Sequence, residues 1–172
     1  VQTCALPIYY WVYILATNEL RRLGQALPSQ SLMFAKFSPD GKYVGYVSGH
    51  NIYCEEIATG KSKKLTTDGT RKMINGTFDW VYEEEFGCRD GFRWSPDSRS
   101  IAYWQVDASS TRDYYMLNTT DSVYSKVIPV EYPKVGESPS SVRIGVVSLS
   151  NPVTRWMKIE GNPREHYITR ME

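Results

Sequence analysis

Metal-binding residues are scarce in this sequence. Its 172 residues include two histidines and three cysteines. His50 and His166 lie far apart, and no C-x-x-C or paired Cys/His spacing occurs. A metal site is therefore not expected, and neither is a cofactor. Cys4, Cys54 and Cys88 are odd in number, which argues against a disulfide framework. Strong charge of one sign is also missing. A formal net charge of +1 gives no overall electrostatic pull toward nucleic acid or an anionic membrane. The one basic cluster, Lys61 to Lys64, reads as a solvated strand or turn. The longest apolar run, Ala5 to Ala16, contains Pro7 and falls short of the ~20 residues a membrane helix needs. No basic segment precedes it as in a signal peptide. No long segment keeps a clean 3.6-residue apolar period, so extended helices are not expected.

The chain also lacks an initial Met. Its first eight residues, "VQTCALPI", resemble the translation of a sequencing-library adapter and are set aside from fold reasoning, Cys4 with them. With an abrupt end at "ITRME", the chain reads as a piece of a longer frame, truncated at both ends.

What is present is strand signal. Hydrophobic residues at 41% against 23% charged make a globular balance. Short runs such as "LMFAKFS", "KYVGYVS", "SIAYWQVD" and "VRIGVVSLS" are rich in β-branched and aromatic residues and bounded by Gly, Pro, Asp or Ser. An internal repeat accompanies them. "FSPDGKYVGYV" begins at Phe37 and "WSPDSRSIAYW" at Trp94, 57 residues on. Each copy is an aromatic, a Ser-Pro-Asp turn, a basic residue and an alternating strand. Pro fixes φ, Asp bonds its own backbone, and Gly supplies positive φ. A turn recurring between strands at this period predicts propeller blades, each a four-stranded antiparallel sheet.

About three blades are expected. One runs from about Ser31 to Asp68, the next from about Phe78 to Pro133 with an insertion, and a third begins near Ser141. "REHYITRME" would open a fourth, and Tyr9 to Leu23 would close a preceding one. The competing fold is a β-sandwich with two similar hairpins.

The insertion holds "DWVYEEEF", Asp79 to Phe86. Asp79 is a good N-cap and acids suit a first turn, so one short helix is predicted. A run of acids is usually a solvated face. Here Trp80, Tyr82 and Phe86 would anchor it to the sheet, and like charges at 4 Å repel by ~4 kcal/mol at an effective dielectric near 20. A cation is therefore expected. Arg89 or Arg93 could take one carboxylate, and a substrate ammonium, with three donors, could take the other two.

"DWVYEEEF" is similar to the double-glutamate motif of the dipeptidyl peptidase IV branch of the prolyl oligopeptidase family. "GFRWSPDSRSIAYWQVD" and "VEYPKVGESPSSVRIGVV" follow in the expected order, and the resemblance, closest to bacterial members, covers roughly Leu32 to Glu172. It implies that residues 9–172 are part of an eight-bladed N-terminal propeller capping a C-terminal α/β-hydrolase domain absent from this chain. The complete enzyme would be a serine peptidase releasing Xaa-Pro or Xaa-Ala dipeptides from free N-termini. By position, Glu84 and Glu85 match the pair that grips the substrate ammonium, Glu83 an acid that holds the loop together, and Asp79, Trp80 and Tyr82 the anchors. A homodimer and a periplasmic or other extracytoplasmic location are implied in the same way.

The departures are specific. Many relatives place an apolar residue before the Phe, whereas Phe86 follows Glu85 directly. The basic residue that the family sets against a substrate carbonyl has no counterpart here. No G-x-S-x-G elbow occurs; the nearest string, "GESPS" at Gly136 to Ser140, lacks the final Gly. The chain is thus expected to be inactive alone. The alternative function is a non-catalytic propeller that binds peptides or proteins. Two glycosylation sequons, at Asn75 and Asn118, would matter only in a secreted eukaryotic protein.

Overall fold

The structure, a computed structural model, describes residues 9–28 and 31–172. The adapter-like residues 1–8, with Cys4, lie outside the described residues. Among the described residues, thirteen strands and one short helix follow in order. β1 (Trp11–Ile14) and β2 (Glu19–Arg22) form a hairpin, the expected end of a preceding blade. β3 (Met33–Phe37), β4 (Tyr43–Ser48), β5 (Asn51–Glu56) and β6 (Ser62–Lys64) make one four-stranded antiparallel sheet in sequence order.

A second sheet contains β7 (Met73–Asn75), β8 (Phe92–Trp94), β9 (Ser100–Asp107), β12 (Ser141–Ser148) and β13 (Thr154–Trp156). Its order is β13-β12-β9-β7, with β8 also on β9. Between β9 and β12 a separate hairpin stands apart, β10 (Asp113–Asn118) with β11 (Lys126–Glu131). The helix α1 (Trp80–Glu84) lies between β7 and β8.

The blade boundaries differ from those expected. Ser141 does not start a third blade, because β12 pairs with β9 along its whole length, from Ser141↔Asp107 to Ser148↔Ser100. The second blade therefore runs from Met73 to Trp156, and residues 157–172 contain no strand. The cause is β10–β11. It has strand composition but leaves the blade, so counting strands along the chain misplaces the next boundary. Pro129 is tolerated inside β11 because this two-stranded sheet leaves that strand's other edge unpaired.

The two Ser-Pro-Asp turns form one motif twice. Ser38 Oγ donates to Asp40 Oδ1 at 2.7 Å, and Lys42 N to the same oxygen at 3.1 Å. Ser95 Oγ donates to Asp97 Oδ1 at 2.6 Å, and Arg99 N to that oxygen at 3.1 Å. The next residue is left-handed in each copy, Gly41 at φ +70° and Ser98 at φ +61°. The turns also touch, since Asp40 N donates to Ser98 Oγ at 3.0 Å.

The sheets pack face to face. Val47, Ile52, Cys54 and Leu65 of the first blade meet Phe92, Ile101, Tyr103 and Val147 of the second in one buried cluster. Val44 and Tyr46, on the other face of β4, meet Val12 and Leu23 of the β1–β2 region. Burial on both faces explains why "YVGYVS" reads as a continuous apolar run rather than a strict alternation.

Candidate functional site

The acidic segment interrupts the first strand of the second blade, at one edge of its sheet. β7 pairs with β9 as far as Asn75↔Gln105, and β8 resumes at Phe92↔Tyr103. Only Trp104 of β9 is skipped. Its carbonyl accepts from Gly76 N, and its N–H donates to Gly91 O, both at 3.0 Å. Gly91 N closes the neck on Gly76 O at 2.9 Å. Residues 76–91 thus leave and re-enter the sheet at one point. Both glycines are required there. Gly76 has φ +74°, and a Cβ on Gly91 would lie 2.8 Å from the Gly76 carbonyl carbon.

Above this neck sits α1, five residues long. An isolated helix of that length is not stable, so its anchors set its direction. Asp79 is the N-cap, its Oδ1 accepting from Tyr82 N at 3.1 Å. Ser140 Oγ donates to Asp79 Oδ2 at 2.6 Å. Burial pushes the Asp79 carboxyl above the usual carboxylate value, against the pull of these hydrogen bonds.

Tyr82 is buried and stacks on Phe78 at 5.2 Å, and its hydroxyl accepts from Ile168 N at 3.0 Å. Burial pushes its phenol up to about 12. Trp80 meets Tyr132 edge-on at 4.4 Å, tying the helix to the chain beyond β11. Phe86, expected to be buried, is 42% exposed and rests against Tyr167 at 4.7 Å.

The three glutamates part company. Glu83 is half-buried, lies 3.7 Å from Arg89 Nη1, and faces a cavity of about 410 Å³ that His50, Arg71 and Glu131 also line. Glu84 and Glu85 are exposed, and neither takes an ion-pair partner among the described residues. Glu85 borders an open groove of about 730 Å³ walled by Trp80, Tyr132 and Tyr167, with Lys134 on its rim. Arg93 does not reach the acidic run. It turns to Asp90 at 3.0 Å and to the backbone carbonyls of Asp90 and Phe92.

Sequence reasoning missed several groups around the site. Lys36 of β3 reaches Asp90 at 2.5 Å and Phe92 O at 2.7 Å, which holds the first blade to the re-entry point of the insertion. Desolvation lowers its ammonium despite Asp90. Arg71 bonds Asp113 and Glu131, and Lys72 reaches Asp113 at 3.1 Å, which pins the foot of β10–β11. Ser140 and Thr111 belong with this group. Lys36, Thr111 and Ser140 are distant in sequence from the motif, so no local signal marks them. Asn75 of the first sequon is fully buried, with its amide on Asp68 Oδ1 at 2.9 Å.

The comparisons with known proteins agree with this geometry. The family described as "Dipeptidyl peptidase IV (DPP IV) N-terminal region" matches residues 5–172. Inactive dipeptidyl peptidase 10 of Mus musculus is 30% identical over 170 residues, covering 95% of this chain and 21% of its own length. Dipeptidyl aminopeptidase A of Saccharomyces cerevisiae is 26% identical over 156 residues, covering 84% and 17%. The crystal structure of Porphyromonas gingivalis dipeptidyl peptidase 4 superposes with a TM-score of 0.82 at 30% identity, over 90% of this chain and 22% of that one. The chain spans about a fifth of the length of the curated relatives it matches. With two packed blades, a helical insertion in an edge strand and a family match over nearly its whole length, this chain belongs to the dipeptidyl peptidase IV N-terminal region family.

Proposed function

We propose that the complete protein is a serine-type dipeptidyl peptidase, and that this part of its propeller holds the free amino terminus of the substrate. Glu84 and Glu85 receive the ammonium, which sets the distance to the hydrolase domain so that the bond after the second residue meets the nucleophile. Binding energy is used here for register and orientation. The observation that supports this reading is the split within the motif. Asp79, Trp80 and Tyr82 are fixed and Glu83 faces Arg89, while Glu84 and Glu85 stay exposed and without an ion-pair partner among the described residues.

The test is Glu84→Gln with Glu85→Gln in the complete protein, propeller and hydrolase domain together. Turnover of Xaa-Pro substrates with a free amine should collapse. Near-normal turnover by the double variant would reject the assignment.

A second reading, a peptide-binding propeller without catalysis, is favoured by one observation: a relative at 30% identity is named an inactive dipeptidyl peptidase. A G-x-S-x-G elbow followed by Asp and His in the hydrolase domain would decide for the enzyme. A second copy of the complete protein is the proposed partner. The support is the β10–β11 hairpin, where Tyr115, Leu117 and Tyr124 are all more than two-thirds exposed. Tyr115→Glu with Leu117→Glu should reduce the sedimenting mass to that of a monomer, and an unchanged mass would remove this partner.

A further inference from the structure

Two excursions leave the second blade, the acidic segment at 76–91 and the stretch between β9 and β12 that carries the β10–β11 hairpin. They meet at one buried point. Thr111, just before β10, and Ser140, just before β12, bring their hydroxyl oxygens to 3.3 Å. Ser140 Oγ donates a hydrogen bond to Asp79 Oδ2 at 2.6 Å, and Asp79 Oδ1 accepts from Tyr82 N at 3.1 Å. Thr111, Ser140 and Asp79 are 2%, 3% and 5% exposed. No cation pairs with Asp79 among the described residues. A buried carboxylate without a cation depends on its hydrogen bonds, and a hydroxyl bond to a charged group is among the stronger ones.

Geometry gives this bond leverage. Glu84 and Glu85 follow the cap by five and six residues, which at the helical rise is ~8–9 Å along the axis. A pivot of ~10° at the cap would move their backbone by ~1.5 Å, enough to break a charge-assisted hydrogen bond to the ammonium, which spans only about 2.7–3.0 Å. The helix is too short to resist the pivot by itself. Trp80 against Tyr132 is the only other contact of α1 with the hairpin stretch that a ring pair provides among the described residues.

We infer that Ser140 is a positioning residue: its hydrogen bond to the buried cap Asp79 fixes the direction of the acidic helix and so the place at which Glu84 and Glu85 meet the substrate ammonium. This rests on the ammonium-binding reading above. Ser140 touches no substrate in it and acts only through Asp79.

The experiment uses the complete protein and three variants, Ser140→Ala, Ser140→Thr and the Glu84→Gln/Glu85→Gln pair. Two rates are read on each. One is hydrolysis of a free-amine Xaa-Pro anilide. The other is phosphonylation of the nucleophile by a small fluorophosphonate, which forms an O–P bond with loss of fluoride and has no ammonium to place. Ser140→Ala should raise KM for the anilide about ten-fold while kcat and the fluorophosphonate rate stay within about two-fold. Ser140→Thr, which keeps the hydroxyl, should bring KM back to within about two-fold of the parent. An unchanged KM in Ser140→Ala, an equal loss of both rates, or a Ser140→Thr variant as impaired as Ser140→Ala would overturn the inference. If the glutamate pair raises KM and Ser140→Ala does not, the inference alone falls. If the glutamate pair has no effect on KM, the ammonium reading falls and takes the inference with it.

Discussion

The two blades share a turn and little else. In the first, β3 reaches its Ser-Pro-Asp turn with no insertion, only a shift of register between Met33 and Lys36, and the second and third strands join through Gly49 and His50 alone. Both residues of that link have positive φ, as a two-residue hairpin requires. In the second blade the strand before the same turn is split by residues 76–91, and the second-to-third connection expands to carry β10 and β11. The first blade is therefore the plain repeat and the second the same repeat with two elaborations. Both lie on the side of the blade where Asp79 and Ser140 meet. The repeat supplies rigid geometry, and the chemistry sits in the departures from it, as is general for sites on loops carried by a scaffold.

The largest effect expected from this contrast is on the acids. Removing both charges at Glu84 and Glu85 should lower kcat/KM on free-amine substrates by about 100- to 10,000-fold, the loss of two charge-assisted hydrogen bonds at ~1.5–3 kcal/mol each. Glu55, a buried glutamate of the plain blade that accepts from Tyr46 and Gly24, is the control. Glu55→Gln should change stability and leave KM unaltered. If Glu55→Gln and the Glu84/Glu85 pair affect KM alike, the contrast between the blades is lost.

Glycines give the next effect. Gly91→Ala at the neck must displace backbone and should destabilise by about 2–3 kcal/mol. Gly41→Ala in the plain turn has open space around it and pays only for positive φ, about 1 kcal/mol. Hydrogen exchange in the complete protein would separate them. Gly91→Ala should speed exchange across 76–91, and Gly41→Ala only around its own turn.

The smallest effect concerns pH. Hydrogen bonds from Arg71, helped by Lys72, hold the Asp113 carboxyl below its ordinary value. A depressed carboxylate stabilises the fold above its unfolded pKa, and that contribution fades as pH falls from there through the folded value. Exchange at the foot of β10, taken relative to its intrinsic rate at each pH, should therefore rise as the pH drops below about 4. Asp113→Asn should flatten that rise, and an equally steep rise in the variant would assign it to other groups.

How much of this was legible in the sequence follows the range of the interactions. The Ser-Pro-Asp turns were readable because every bond in them lies within five residues. The helix start at Asp79 was readable for the same reason. The boundary at Ser141 was not, because it depends on β12 finding β9 across an excursion whose own strands look like blade strands. Around the site, Trp80 and Tyr82 announced themselves as anchors by their chemistry, but their partners Tyr132 and Ile168 did not. Arg93 looked equivalent to Arg89 by proximity. Only the fold shows it committed to Asp90 and to strand carbonyls.

The most direct measurement is a crystal structure of the complete protein with an Xaa-Pro dipeptide bound. The account predicts the dipeptide's ammonium at hydrogen-bond distance, about 2.7–3.0 Å, from carboxylate oxygens of both Glu84 and Glu85, with Ser140 still on Asp79. An ammonium held elsewhere, with Glu84 and Glu85 left in solvent, would contradict it.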